Sequence, residues 1–182
     1  MFEYLTSQKK DLEDARENLN TLIGELTGKM RKQFKEQFAI IDKYFSEVFV
    51  KLMGGGKAQL RMLEEDVLTS PIEIEAQPPG KKLQNISLLS GGEKALVALA
   101  LLFAILKLRP APFCILDEVD TSLDELNVDR FAEYVRQYKD QTQFILITHR
   151  KNAMTVSDAM FGIAMEEKGV SRVVSVKMAD VS

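Results

Sequence analysis

The first thirty residues carry apolar side chains at a strict seven-residue spacing. Leu5, Leu12, Leu19 and Leu26 mark the repeat, in a segment otherwise rich in Lys, Glu, Asp and Asn. A narrow apolar stripe on a charged helix predicts a coiled-coil helix that needs a second helix to pack on. An ordinary amphipathic surface helix is the alternative. We therefore predict a coiled-coil stub over residues 1–30 and a globular lobe over residues 31–182.

Bulkier apolar residues then recur at steps of three and four. They are Phe34, Phe38, Ile41, Phe45, Val48 and Leu52. This stripe predicts a helix docked on a globular body and ended by Gly54-Gly55-Gly56. Residues 58–63 and 72–76 alternate apolar and polar side chains, which is typical of half-buried strands. Gln77-Pro78-Pro79-Gly80 predicts a break, and the chain then continues as a polar loop to Leu88.

The second half of the chain alternates helical and strand patterns. We predict helices at 91–108, 124–138 and 151–157, and strands at 112–117, 143–148, 159–165 and 171–178. The runs 113–116 and 144–147 are apolar throughout, which is typical of parallel strands buried on both faces. The last two strands predict a hairpin around Glu167-Lys168-Gly169. The fold class is therefore predicted to be α/β, with a mostly parallel sheet flanked by helices.

Composition narrows the class of protein. The chain has 182 residues, of which 46% are hydrophobic and 28% charged, enough for one domain with a sizeable core. One Cys and one His exclude a disulfide framework and a Cys/His zinc site. No apolar run reaches the roughly 18 residues of a membrane span, so we expect a cytosolic protein. Lys29, Arg31, Lys32 and Lys35 form a local basic patch, either a nucleic-acid contact or a solvated helix face.

Asp117 and Glu118 end the first apolar strand of the α/β half. Ligands of open α/β folds bind at the carboxyl edge of the sheet, where these carboxylates are expected to lie. The pattern matches the acidic motif of nucleotide hydrolases. In that interpretation Asp117 holds Mg²⁺ through water, and Glu118 orients and deprotonates the attacking water. A helix cap or a surface acid is the alternative.

Ser90-Gly91-Gly92-Glu93 opens the predicted helix 91–108. A hydroxyl, exposed backbone N–H groups and the helix dipole favour an anion such as a phosphate, whereas a plain turn with an N-cap is the alternative. Gly54-Gly55-Gly56-Lys57 is not interpreted as a phosphate loop. It follows a helix, and Ala58 stands where the motif requires Ser or Thr. No other segment supplies that loop.

Four segments together resemble motifs of the ATP-binding-cassette superfamily, in its order and spacing. They are Leu89 to Glu93 (signature), Phe113 to Glu118 (Walker B strand), Val119 to Asp124 (D-loop) and Ile147 to Arg150 (switch histidine). The resemblance implies ATP and Mg²⁺ as ligands. It implies that ATP is bound by Ser90, Gly91, Gly92 and Glu93, and that the D-loop residues Asp120, Leu123 and Asp124 lie at an interface. His149 would stabilise charge on the γ-phosphate, with a structural role at the strand end as the alternative.

Within that superfamily the chain most resembles the carboxyl-terminal half of the bacterial SMC head, an ATPase that organises chromosomes. The resemblance covers nearly the whole chain, including Gln77 to Asn85, Ser171 to Val176 and Glu93 in place of the transporter glutamine. Thr121-Ser122 stand where many bacterial members have two alanines. The resemblance implies an amino-terminal half with the phosphate loop, ATP between two engaged heads, a kleisin subunit and DNA in the full complex. It also implies a cytoplasmic, nucleoid-associated location without a membrane.

Two other classes of function stay open at this point. The chain could be half of another cassette ATPase, such as a DNA-repair enzyme or a transporter engine, although the coiled-coil entry and Glu93 weigh against a transporter. It could instead act alone as an interaction module that docks a kleisin without catalysis. Cys114 lies inside the apolar strand and is interpreted as a small buried hydrophobe.

Overall fold

The computed structural model describes residues 1–177, which form four α-helices and seven β-strands. The helices are α1 (Phe2–Met53), α2 (Gly91–Leu108), α3 (Glu125–Tyr138) and α4 (Lys151–Met154); the strands are β1 (Lys57–Met62), β2 (Ile72–Gln77), β3 (Gln84–Asn85), β4 (Phe113–Asp117), β5 (Gln143–Ile147), β6 (Ala159–Glu167) and β7 (Val170–Lys177). The elements predicted for the second half are confirmed, with bounds that differ by a few residues. The last residue of the predicted strand 171–178 lies outside the described residues.

The chain divides into two compact units. The first comprises Met1–Ile40 with Arg61–Glu73, and the second comprises Ile41–Leu60 with the chain from Ile74 onward. In the first unit the heptad leucines are exposed: Leu5 56%, Leu12 72%, Leu19 59% and Leu26 49%. No part of residues 1–177 covers this stripe. The predicted domain boundary at residue 30 stays a prediction.

The core of the second unit forms between the end of α1 and the two long helices that follow. Phe45, Val48, Phe49 and Leu52 of α1 are at most 1% exposed. Helix α2 contributes Phe103, whose ring centroid lies 4.8 Å from that of Tyr134, 6.2 Å from Phe131 and 6.0 Å from Phe144. The predicted docking of α1 is therefore confirmed at its carboxyl-terminal end. No helix within residues 1–177 combines the length and apolar character needed to cross a membrane.

Helix α1 ends in a turn that only glycine fits. Gly54, Gly55 and Gly56 have φ values of 72°, 140° and 86°, and a Cβ on Gly56 would lie 2.1 Å from the carbonyl oxygen of Gln77. The Arg130 guanidinium donates to the last helical carbonyl, that of Met53, at 2.8 Å. The order is helix, turn, strand, which is the reverse of a phosphate loop, so the interpretation of this segment as a turn is confirmed.

The prediction of a mostly parallel sheet is wrong. The strands form three small sheets, β1-β2-β3, β4-β5 and β6-β7; β4 and β5 are paired in parallel, whereas β2–β3 and β6–β7 are antiparallel. The physical reason is that a long crossover connection is needed for parallel pairing, and within residues 1–177 only α3 supplies one between paired strands. Short connections join β6 to β7 and β2 to β3, so these pairs are antiparallel. The predicted loop before Leu88 also contains β3 and one 3₁₀ turn, Ile86–Leu88.

The prediction that β4 and β5 are buried on both faces is also wrong. Leu116, on the face turned to the helices, is 4% exposed, but the opposite face is bare. That face carries Phe113, Ile115, Ile145 and Ile147, which are 55%, 56%, 43% and 50% exposed, and the pairing of Ile115 with Ile145 places these side chains together. Cys114 is half-buried beside Leu116, and burial raises the pKa of its thiol.

We predict that Phe49→Ala lowers the free energy of unfolding by about 3–5 kcal/mol, because the substitution leaves a cavity in a fully buried site. The neighbouring Val50 is 41% exposed, so Val50→Ala is a matched control whose cost should stay below about 1 kcal/mol. Urea unfolding followed by circular dichroism measures both. Equal costs would show that the end of α1 is not part of the core.

Candidate functional site

The parallel pair of strands brings the predicted catalytic residues to one edge. Asp117, the last residue of β4, is opposite Ile147, the last residue of β5. The Glu118 backbone N–H donates to the Ile147 carbonyl at 2.9 Å, and His149 follows two residues beyond Ile147. Asp117, Glu118 and His149 are all exposed. The structure thus places two carboxylates and one imidazole on the loops at the carboxyl end of the same two strands.

Glu118 has a strained backbone. Its φ is 48°, and it is the one non-glycine residue within 1–177 with a positive φ. Such a conformation costs on the order of 1–3 kcal/mol and persists where the surroundings hold it. Here the Glu118 carbonyl accepts hydrogen bonds from the Thr121 hydroxyl at 2.8 Å and from the Thr121 N–H at 3.2 Å. The turn after β4 therefore fixes the direction in which the Glu118 side chain leaves the sheet.

Asp120 lies beneath this turn and is only 1% exposed. Its Oδ2 accepts a hydrogen bond from the Thr148 hydroxyl at 2.6 Å, and the same hydroxyl oxygen accepts from the Arg150 N–H at 2.9 Å. Its Oδ1 has no hydrogen-bond partner among the described residues. The carboxylate predicted to act at an interface is thus turned inward, where it joins the turn after β4 to the loop after β5.

Arg150 makes the second connection between these loops. Its guanidinium donates to the carbonyl of Thr121 at 3.2 Å and to that of Leu123 at 3.1 Å. Leu123 is 3% exposed, and Asp124 caps α3 by accepting from the Asn127 N–H at 2.8 Å. Sequence reasoning missed the bonds of Thr148 and Arg150. The sequence signal that could have indicated these bonds is the position of Thr148 and Arg150 on either side of His149.

The predicted anion site begins α2, but both hydrogen-bond donors of Ser90 are occupied within the chain. The Ser90 hydroxyl and the Ser90 N–H donate to Oε2 of Glu93 at 2.8 and 3.0 Å. Lys81 lies 2.8 Å from Oε1 of the same carboxylate. The hydrogen bond from Lys81 is the main cause that holds the pKa of Glu93 below its usual range, and the hydrogen bonds from Ser90 add to it. Desolvation of the carboxylate acts in the opposite direction. Glu93 is therefore a carboxylate at neutral pH.

Gly92 joins the start of α2 to the turn after β4. A Cβ at this position would lie 2.8 Å from the carbonyl oxygen of Ser122, whereas a Cβ on Gly91 would meet nothing within 4 Å. Packing inside the chain therefore requires glycine at residue 92 but not at residue 91. The signature-like segment and the D-loop-like turn are in direct contact.

The described residues also limit the kind of metal site. Residues 1–177 contain no group of three His, Cys, Asp or Glu side chains that could hold a metal ion. Asp117 and Glu118 are adjacent exposed carboxylates. They fit an ion such as Mg²⁺, which keeps several waters and takes only one or two carboxylates from protein. They do not fit an ion that needs a complete set of protein ligands.

The basic patch of the first unit is partly neutralised. The Arg31 guanidinium donates from Nε and Nη2 to the two carboxylate oxygens of Asp66 at 3.2 and 3.1 Å. This hydrogen-bonded pair raises the pKa of Arg31 and lowers that of Asp66. Glu65 lies in the same shallow depression as Lys32 and Lys35. The mixture of charges favours a solvated helix face over a nucleic-acid contact.

Comparison with known proteins places this chain in a family. The family described as RecF/RecN/SMC N terminal domain matches residues 7–172. The chromosome partition protein Smc of Bacillus subtilis (strain 168) is 53% identical over 180 residues, which is 98% of this chain and 15% of that protein. The chain therefore spans a small part of the length of its curated relatives.

Solved structures agree with this match. The Smc head domain with an extended coiled coil, derived from Pyrococcus furiosus and bound to the C-terminal domain of ScpA, superposes with a TM-score of 0.84 and 41% identity, over 97% of this chain and 44% of that one. An SMC ATPase from work on ATP-driven dimerisation and DNA-stimulated activation gives a TM-score of 0.74 and 42% identity, over 83% of this chain and 92% of that one.

We predict that Thr148→Val destabilises the chain by about 2–3 kcal/mol, because it removes one partner each from the buried Asp120 carboxylate and the Arg150 N–H. Thr121→Val is the matched control, since it removes one hydrogen bond from an exposed hydroxyl and should cost about 1 kcal/mol. Chemical unfolding curves compare the two. A smaller cost for Thr148→Val than for the control would contradict the buried connection.

Proposed function

The chain belongs to the RecF/RecN/SMC family and is a fragment of a bacterial SMC head. We propose that it is the carboxyl-terminal half of that head. In this role it contributes to ATP hydrolysis between two engaged heads during chromosome partition. The observation that carries the proposal is the strained Glu118 at the edge of β4, hydrogen-bonded to Ile147 and therefore close to His149. No segment of the sequence supplies a phosphate loop, so a complementary half is required.

The bare face of the β4–β5 sheet supports the existence of that half. Four large apolar side chains, Phe113, Ile115, Ile145 and Ile147, are each between 43% and 56% exposed. A sheet with one face on helices and the other in water does not usually carry an apolar outer face, since alternation with polar residues would satisfy both sides. A second layer that covers this face, and further strands beside β4 and β5, would come from the amino-terminal half together with the phosphate loop.

Each residue at the sheet edge then has a role in hydrolysis. Asp117 would hold Mg²⁺ through water, and this ion would supply positive charge beside the ATP phosphates. Glu118 orients the attacking water and accepts its proton, and the fixed turn around Thr121 keeps that carboxylate at one position. His149 donates a hydrogen bond to a γ-phosphate oxygen, where negative charge develops during transfer.

Ser90, Gly91 and Gly92 act on a different nucleotide. We assign them to ATP held by the opposite head, where the start of α2 reads the γ-phosphate through the Ser90 hydroxyl and exposed N–H groups. The open space beside Gly91 supports this role, since within residues 1–177 no atom beyond its own chain neighbours and helix backbone lies within 4 Å of a Cβ there. ATP is thus both the substrate and the ligand that holds the two heads together. Loss of the γ-phosphate removes the contact that distinguishes engaged from separated heads.

The β6–β7 hairpin is the proposed site for a kleisin. Phe161, Ile163 and Met165 alternate along β6 and are 70%, 69% and 63% exposed, and Val173 opposite Ile163 is 62% exposed. An exposed apolar ribbon of this kind fits a protein partner. The related P. furiosus head is bound to the C-terminal domain of ScpA, which supports a kleisin domain as that partner.

We predict that Glu118→Gln in a complete head retains ATP binding and head engagement but lowers turnover by at least about 100-fold, because the amide cannot accept the water proton. The complete head is obtained by adding the complementary half, and phosphate release measures turnover. The isolated chain serves as the blank and should not hydrolyse ATP. Turnover by Glu118→Gln at the unmodified rate would remove Glu118 from the role of base.

We also predict that Ser90→Arg blocks ATP-dependent dimerisation of complete heads while leaving ATP binding to a single head within about twofold. The reason is that Ser90 acts on the opposite nucleotide, and a long cation at this position obstructs its approach. Analytical ultracentrifugation with ATP measures dimerisation, and equilibrium dialysis measures binding. Equal loss of both would show that Ser90 belongs to the nucleotide site of its own head.

A further inference from the structure

Lys81 and Glu93 form a small charged network around Ser90. Both hydrogen-bond donors of Ser90, its hydroxyl and its N–H, are directed to Oε2 of Glu93. The Lys81 ammonium lies 2.9 Å from this oxygen and 2.8 Å from the other. The Glu93 side chain is 18% exposed and that of Lys81 is 49% exposed. A phosphate that approaches Ser90 must therefore replace a carboxylate.

The chain holds Lys81 in place by its backbone. Its N–H donates to the Pro78 carbonyl at 3.0 Å, and its carbonyl accepts from the Gln77 side chain at 3.0 Å. Gly80, with φ of 77°, permits this tight turn. The Gln77-Pro78-Pro79-Gly80 segment, first interpreted as a simple break after β2, thus presents a cation to the start of α2.

A bare carboxylate beside Ser90 would oppose phosphate binding in two ways. It would repel a phosphate of like charge, and it would keep the Ser90 donors for itself. A paired ammonium cancels most of that charge. It also gives Glu93 a partner that remains when Ser90 turns away, so that this half-buried carboxylate is not left without hydrogen bonds.

We propose that Lys81 is a positioning residue for the signature segment, acting through Glu93. It holds and neutralises the Glu93 carboxylate so that Ser90 can transfer both donors from Glu93 to the γ-phosphate on the opposite head. This inference rests on the proposed function, in which Ser90 reads ATP in trans. No covalent bond changes and no proton moves in this exchange of acceptors.

The experiment measures ATP-dependent dimerisation of complete heads by analytical ultracentrifugation, in the Glu118→Gln background that suppresses turnover. Lys81→Met should raise the dimer dissociation constant about tenfold, and Lys81→Arg, which keeps the charge, should change it by less than about threefold. Lys82 is the neighbouring exposed lysine and makes no ion pair with Glu93. Lys82→Met is therefore the matched control and should have no measurable effect.

The decisive arm is the double variant Lys81→Met with Glu93→Gln. Removing the carboxylate removes the need for its counter-charge, so the double variant should bind as tightly as Glu93→Gln alone. A double variant that dimerises more weakly than Glu93→Gln alone, by the same factor by which Lys81→Met weakens the head that keeps Glu93, would overturn the inference, as would an unchanged dimer in Lys81→Met. The dimerisation of Ser90→Arg is measured in the same experiment. If it dimerises normally, the proposed function fails by itself, whatever the lysine variants do.

Discussion

The candidate functional site depends on five residue pairs between β4 and β5, from Phe113 with Gln143 to Asp117 with Ile147. Parallel pairing is the arrangement that brings the ends of two successive strands to the same edge. An antiparallel register would separate the acids from His149 by the length of a strand. The α3 crossover makes the parallel register possible, and the Phe103 cluster fixes that helix layer against the sheet.

In the proposed function, the same pair of strands creates the need for a complementary half. Two strands can place an acid pair beside a histidine, but they cannot surround a nucleotide or bury their own outer face. Ile115 and Ile145 are opposite each other and exposed at 56% and 43%. The strands that carry the candidate catalytic residues are therefore also the strands whose outer face is uncovered by the described residues. The proposed catalytic role and the proposed assembly with a complementary half thus depend on the same two strands.

Much of the fold could be predicted from the sequence, because periodicity reports local structure directly. The helix 91–108 and the strands that end at Asp117 and Ile147 follow from unbroken apolar patterns bounded by Gly, Asp and Pro. The sheet was predicted wrongly, since an all-apolar strand shows that both faces need cover but not whether the same chain supplies it. The Asp120–Thr148 and Lys81–Glu93 contacts were missed because they join residues 28 and 12 positions apart, and no local pattern specifies such pairs.

The contact between Gly92 and the Ser122 carbonyl has a wider consequence. On one side of it lies the segment that would sense the nucleotide of a neighbouring head. On the other lies a turn whose hydrogen bonds end at the backbone of Glu118. Since no side chain separates the two, a displacement of a few tenths of an ångström at either would be felt at the other. If two heads engage as proposed, this contact joins the segment that faces the partner's nucleotide to the turn that holds Glu118.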